Sequence, residues 1–112
     1  MEKVISKLVA LGIPGLVLLI VISTSGLAGG AAIVAALSLI GPGGMIGGVI
    51  TLGVIALVVD AIAEYGVEAI ACGVVEGLLK EGETKDSLLR KIAEYPISSS
   101  LKRRLKEIVN KY

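Results

Sequence analysis

Ionisable side chains divide this chain into two zones. After Lys7 none occurs until Asp60, a run of 52 residues (8–59), and beyond it charges recur every few positions. At 1.5 Å per residue a straight helix of that length reaches about 78 Å, whereas a hydrocarbon core is about 30 Å thick and takes about 20 residues to cross. The run must therefore fold back on itself, and glycine and proline mark where. Gly41-Pro42-Gly43-Gly44 is the strongest break, because Pro42 disfavours helix at Gly41 and the glycines admit left-handed turns. Gly12-Ile13-Pro14-Gly15 is a second break, and Ser23 to Gly30 a softer third. Two partitions fit. In one, residues 4–24 cross a bilayer, 27–40 form a short inner helix and 44–65 cross back. In the other, 1–13 lie at the interface, and 15–40 with 44–65 form a hairpin. The 14 residues of 27–40 are short for a crossing, which favours two crossings over three.

Past the run the period is helical. Asp60, Glu64, Glu68, Cys72, Glu76 and Lys80 stand four apart, with Ile62, Val67, Ile70, Val74, Val75, Leu78 and Leu79 between them. On a helix this spacing traces one drifting stripe. The pattern predicts an amphipathic helix running out of the apolar zone to about Glu81, with Tyr65 at headgroup level. Gly66, Gly73 and Gly77 weaken that helix, as bends or as places where another helix packs close. Thr84 is an N-cap, and Asp86 suits the first turn of a helix over 85–95. Pro96 stops it. Ser98, Ser99 and Ser100 offer the next N-cap, and 100–111 is helical with Leu101, Leu105, Ile108 and Val109 on one side. This pair is too short to fold alone and must dock elsewhere. The expected architecture is all-α: a hydrophobic transmembrane hairpin of two crossings in 1–59, an acidic amphipathic helix in 60–83 and a basic helical hairpin in 84–112.

Composition sharpens the first zone. Apolar residues make up 54% of the chain and glycine adds 15 residues, yet Phe and Trp are absent and Tyr numbers three. Such aliphatic richness excludes a disordered chain and points to lipid as the solvent of 1–59. Lys3 and Lys7 flank one side of the run, and Lys80, Lys85, Arg90 and Lys91 lie beyond the other. Positive residues favour the cytoplasmic side, which places both termini in the cytoplasm. Two plainer readings compete. One is a secretory signal peptide cleaved after Ala28. The other is a helical bundle covered by oligomerisation, since an all-apolar helix must be buried on every side and the remaining chain is scant cover.

Small residues recur at helical spacing. Ala28, Ala32 and Ala36 stand four apart, as do Gly26 and Gly30, Gly43 and Gly47, and Gly44 and Gly48. Each set shares a helix face. In lipid, close backbone approach holds helices together, so these faces predict a glycine zipper and a homo-oligomer. The plainer reading is that glycine is common in membrane helices. Gly41-Pro42-Gly43-Gly44 lacks the Lys-Ser/Thr that closes a phosphate-binding loop, and no strand precedes it, which speaks against a nucleotide.

Candidate chemistry is sparse. There is no His, and Cys72 is the single cysteine. No intrachain disulfide and no zinc site of the usual ligand set can form, no metal or cofactor is expected, and the chain reads as non-enzymatic. The acidic stripe is by default a solvated face. Its functional reading is a carboxylate ring at a pore mouth, made by Asp60, Glu64 and Glu68. Asp60 and Glu64 as a proton-sharing pair lack a nucleophile beside them, and Cys72 reads as a small packing residue. Residues 60–83 carry six acids and one Lys, net −5, and 84–112 carry eight basic residues and three acids, net +5, so the two attract. Lys102, Arg103, Arg104 and Lys106 either touch anionic lipid or pair with the acidic stripe. Total charge near neutrality and the lack of interleaved aromatics speak against nucleic acid.

The stretch from Ser25-Gly26-Leu27-Ala28-Gly29-Gly30-Ala31-Ala32-Ile33 to Gly41-Pro42-Gly43-Gly44-Met45-Ile46-Gly47-Gly48-Val49 resembles the glycine- and alanine-rich hairpins of interferon-inducible glycine-rich small membrane proteins. It is also similar to hairpins of some bacterial membrane-active effectors. The resemblance covers residues 25–55 and implies membrane insertion, with altered permeability in some members; it brings no functional residue with it. The expectation is a small oligomeric membrane protein that forms a pore or perturbs a bilayer. One alternative is a membrane-anchored adaptor recruiting a protein partner through 84–112. Another is a soluble helical interaction module whose apolar surface is buried in an oligomer.

Overall fold

An amphipathic helix, α1 (Glu2–Ala10), opens the chain and turns Val4 and Leu8, one turn apart, into the core. The computed structural model describes the backbone of residues 1–24 and 44–112 and the side chains of 1–24 and 55–112. The described residues form six helices: α1, α2 (Ile13–Thr24), α3 (Gly44–Tyr65), α4 (Val67–Lys80), α5 (Lys85–Glu94) and α6 (Ser99–Lys111). The all-α expectation holds for them.

The break at Gly12-Ile13-Pro14-Gly15 is real, and two glycines make it. Gly12 has φ +74, which an L side chain rarely adopts. A Cβ on Gly15 would overlap the backbone carbonyl of Leu8, so only glycine lets α2 start hard against the end of α1. Pro14 sits in the first turn of α2, where its missing N–H costs nothing. Helix α2 is apolar on all sides. Leu16, Leu18, Leu19, Ile20 and Ile22 are buried among α1, α3 and α4. At its end the hydroxyls of Ser23 and Thr24 donate to the Ile20 carbonyl at 2.8 and 3.0 Å, satisfying a terminal acceptor.

Helix α4 is the hub. Ile70, Ala71, Val74, Val75, Leu78 and Leu79 are buried, and α1, α2, α3 and α6 all pack against it. It ends in a Schellman motif: Gly82, at φ +102, donates to the Leu79 carbonyl at 3.1 Å, and the Glu83 N–H reaches the Leu78 carbonyl at 3.0 Å. Beyond it the local signals act as read from the sequence. Thr84 accepts from the Ser87 N–H at 3.2 Å and starts α5; Ser98 accepts from the Leu101 N–H at 3.1 Å and starts α6. Leu88 and Ile92 of α5 face Leu101, Leu105 and Val109 of α6, and the pair docks on α4 through α6. One core runs from Val4 to Val109. The radius of gyration is 13.1 Å, close to the ~13 Å of a compact chain of this length.

The transmembrane hairpin is corrected. Among the described residues no helix is long and apolar enough to cross a membrane. The 12 residues of α2 reach about 18 Å, well under a hydrocarbon core of about 30 Å. The described end of α3 carries exposed Asp60 and Glu64 and turns Ile55, Val58 and Ala61 into the protein core. The expected membrane placement with cytoplasmic termini, the pore and the anchor lose their basis with it. The physical reason is the cover: α1 and α4 supply protein contacts for α2, where the composition suggested lipid. Gly26, Gly30, Ala28, Ala32, Ala36 and Gly43 of the expected zipper lie outside the described residues, and Gly44, Gly47 and Gly48 are described only as backbone of α3.

Candidate functional site

The four-residue stripe is the sequence's most regular feature, and Gly66 cuts it in two. Gly66 adopts φ 86 and ψ 152, a conformation essentially restricted to glycine. It ends α3 and begins α4, so the single helix expected from Asp60 to Glu81 is two. Asp60 and Glu64 stay on α3, while Glu68, Cys72, Glu76 and Lys80 lie on α4. Every charged member is exposed, and Cys72 is half-buried. On α4 the stripe's Glu68, Glu76 and Lys80 face outward, away from the buried Ile70, Ala71, Val74, Val75, Leu78 and Leu79. The exposed Tyr65 phenol is raised above its ordinary pKa by the neighbouring Glu64 charge and by a hydrogen bond to it. The pore-mouth reading of Asp60, Glu64 and Glu68 presupposed a membrane crossing, which no described helix provides.

Two helices flank the stripe, both running in the direction of α4. On one side Ile5 and Val9 of α1 press against Gly73 and Gly77. A Cβ on either glycine would overlap those side chains, so the glycines form a notch for α1. Gly73 and Gly77 thus show small-residue, four-apart packing on α4. On the other side lies α6. Arg104 Nε meets Glu68 Oε1 at 3.3 Å, with both side chains more than half exposed at 62% and 55%. The neighbouring Cys72 thiol, then Glu68, hold the Arg104 guanidinium above its ordinary pKa. Two turns on, Lys111 and Ile108 share a small cleft of about 240 Å³ with Glu76 and Tyr112.

The remaining basic residues divide. Lys102 Nζ donates to the Ala93 carbonyl at 3.0 Å, where a cation suits the C-terminal end of α5. Arg103 is exposed and Lys106 half-exposed. Of the cluster Lys102, Arg103, Arg104 and Lys106, only Arg104 meets the acidic stripe in an ion pair among the described residues.

One described concavity was not read from the sequence. It is an open cleft of about 720 Å³ along α1 at the C-terminal end of α4. Ile5, Val9, Leu11 and Gly77 give it apolar walls, and Glu2, Lys80 and Glu81 bring charge to it. The pairing of 5 and 9 with 73 and 77, which builds it, joins segments 68 residues apart; the only advance signal was the Gly73/Gly77 spacing. Among the described residues no group of three or more Cys, Asp or Glu is gathered to hold a metal. Comparison with protein-family models, with curated proteins and with solved structures finds no match, so the likeness of residues 25–55 to glycine-rich hairpins rests on composition.

Proposed function

We propose that this chain is a non-catalytic helical interaction module that acts as an oligomer, its apolar surface covered by another protein chain. The observation that carries this reading is the α1–α4 cleft: apolar side chains at the surface beside a helix pair whose contact is interlocked at Gly73 and Gly77. Concave apolar surface rimmed by charge marks interaction sites on proteins. The charged stripe beside it supports the same reading, because its side chains point outward and are arranged to meet solvent or a partner. Sedimentation velocity on the full chain across the micromolar range tests it. The expected result is a concentration-dependent species of at least twice the chain's mass. A monomer at every concentration would overturn self-association as its mode of action.

A further inference from the structure

We propose that the outward face of α6 binds double-stranded nucleic acid along its phosphate backbone. Ser99, Arg103, Lys106 and Asn110 follow at the i, i+4, i+7, i+11 spacing of one helix face, opposite the buried Leu101, Leu105 and Val109. Ser99, Arg103 and Asn110 are exposed and Lys106 is half-exposed. Lys102 stands one turn before Lys106. Its Nζ gives one hydrogen to the Ala93 carbonyl and keeps two more to donate. Among the described residues these cations have no carboxylate partner: the ion pair of α6 is Arg104–Glu68, on its other flank. Glu107, the one acid in α6, lies toward that flank and adds to the field that raises the Arg104 pKa. The near-neutral sum of the whole chain hides this face, because the net −5 of residues 60–83 offsets the net +5 of residues 84–112.

Chemistry selects the partner. Phosphate and sugar oxygens take hydrogen bonds from Arg, Lys, Ser and Asn side chains, and a guanidinium matches a phosphate through two parallel bonds. A protein partner needs an apolar core in the contact, a bilayer surface takes the apolar side of a helix, and a single strand takes aromatic rings to stack on. The α6 face offers none of these. The apolar side of α6 is spent in the core, and the exposed large apolar side chains among the described residues, Met1, Tyr65 and Tyr112, do not belong to this face. The 13 residues of α6 reach about 20 Å, the length of about six base pairs, so one helix can meet several phosphates. That backbone is common to DNA and RNA duplexes.

Fluorescence anisotropy with the full chain and labelled two-turn duplexes of about 20 base pairs, one of DNA and one of RNA, tests the proposal. With Lys102, Arg103 and Lys106 on phosphates, affinity for DNA falls about fortyfold between about 50 and 200 mM KCl, a log–log slope of about −2.7. Arg103→Gln and Lys106→Gln each weaken binding about fivefold at the lower salt and reduce the slope by about 1. Arg104→Gln, on the flank that Glu68 already occupies, changes affinity by less than about twofold. Circular dichroism and thermal melts verify that each variant keeps the fold. Binding of either duplex with these losses supports the proposal, and the tighter duplex identifies the source. No binding of either duplex at about 50 mM KCl overturns it. A loss in Arg104→Gln as large as in Arg103→Gln overturns the α6 face in favour of summed charge. Tighter binding of poly-glutamate, or of phosphatidylserine-containing vesicles, than of either duplex overturns it in favour of an acidic protein or a lipid surface.

Discussion

Helices α1 and α6 lie along the same central helix, in the same direction, and are held there by different means. Helix α1 adds fit to the burial of Val4 and Leu8: Ile5 and Val9 occupy the places that side chains at 73 and 77 would fill. Helix α6 is fixed by burial of Leu101, Leu105 and Val109, with the Arg104–Glu68 pair at its exposed edge. The contrast teaches that the chain's charge asymmetry, net −5 in 60–83 against net +5 in 84–112, labels the α4–α6 contact more than it holds it. An ion pair more than half exposed contributes little, because water screens it and two long side chains must be ordered.

Substitutions can break this comparison in graded steps. The largest effect is expected from Leu105→Ala, which empties a fully buried site and costs about 2–5 kcal/mol, seen as a lower midpoint in urea unfolding. On the α1 side, Gly77→Ala drives a methyl into Val9. Overpacking of about 1–3 kcal/mol then outweighs the ~1 kcal/mol that alanine gains in helix propensity. If fit is the cause, adding Val9→Ala to Gly77→Ala recovers most of the loss, and a double-mutant cycle shows coupling. Additive effects would mean that the two residues do not touch.

Tyr95 sharpens the α5–α6 side. Its hydroxyl is buried without a hydrogen-bond partner, and burial, then the nearby Glu94 charge, pushes its pKa up to about 12. The folded state thus keeps a proton that the unfolded chain loses from about pH 10 upward. Stability from this group is intact below that pH and is lost as pH rises toward about 12. Tyr95→Phe removes the stranded hydroxyl; it leaves neutral-pH stability equal or higher by up to about 1 kcal/mol and flattens the alkaline decline in melting temperature. The smallest effect is expected from Arg104→Gln, under about 1 kcal/mol and vanishing in high salt. A larger loss would assign the α4–α6 contact to charge after all.

The residues that carry their own local chemistry were legible in advance. Thr84, Pro96 and Ser98 act within one turn of themselves, so helices expected over 85–95 and 100–111 appear at Lys85–Glu94 and Ser99–Lys111. The Gly12–Gly15 break was equally readable, because proline and paired glycines leave few alternatives. Gly66 was not, since a lone glycine inside an intact four-residue period is tolerated in many helices. The bilayer was misread for a deeper reason. Hydropathy reports that Leu16, Leu19 and Ile22 must leave water, and it is silent on whether lipid or the chain's own helices receive them. The same blindness hid the cleft, whose walls come from segments 68 residues apart.

Around Gly66 the structure leaves empty space: beyond the adjoining residues no atom lies within 4 Å of where a Cβ would stand. The objection to any ordinary residue there is backbone conformation rather than room, because φ 86 with ψ 152 lies in a region essentially restricted to glycine. A Gly66→Ala variant therefore loses about 1–3 kcal/mol that no trimming of a neighbouring side chain recovers.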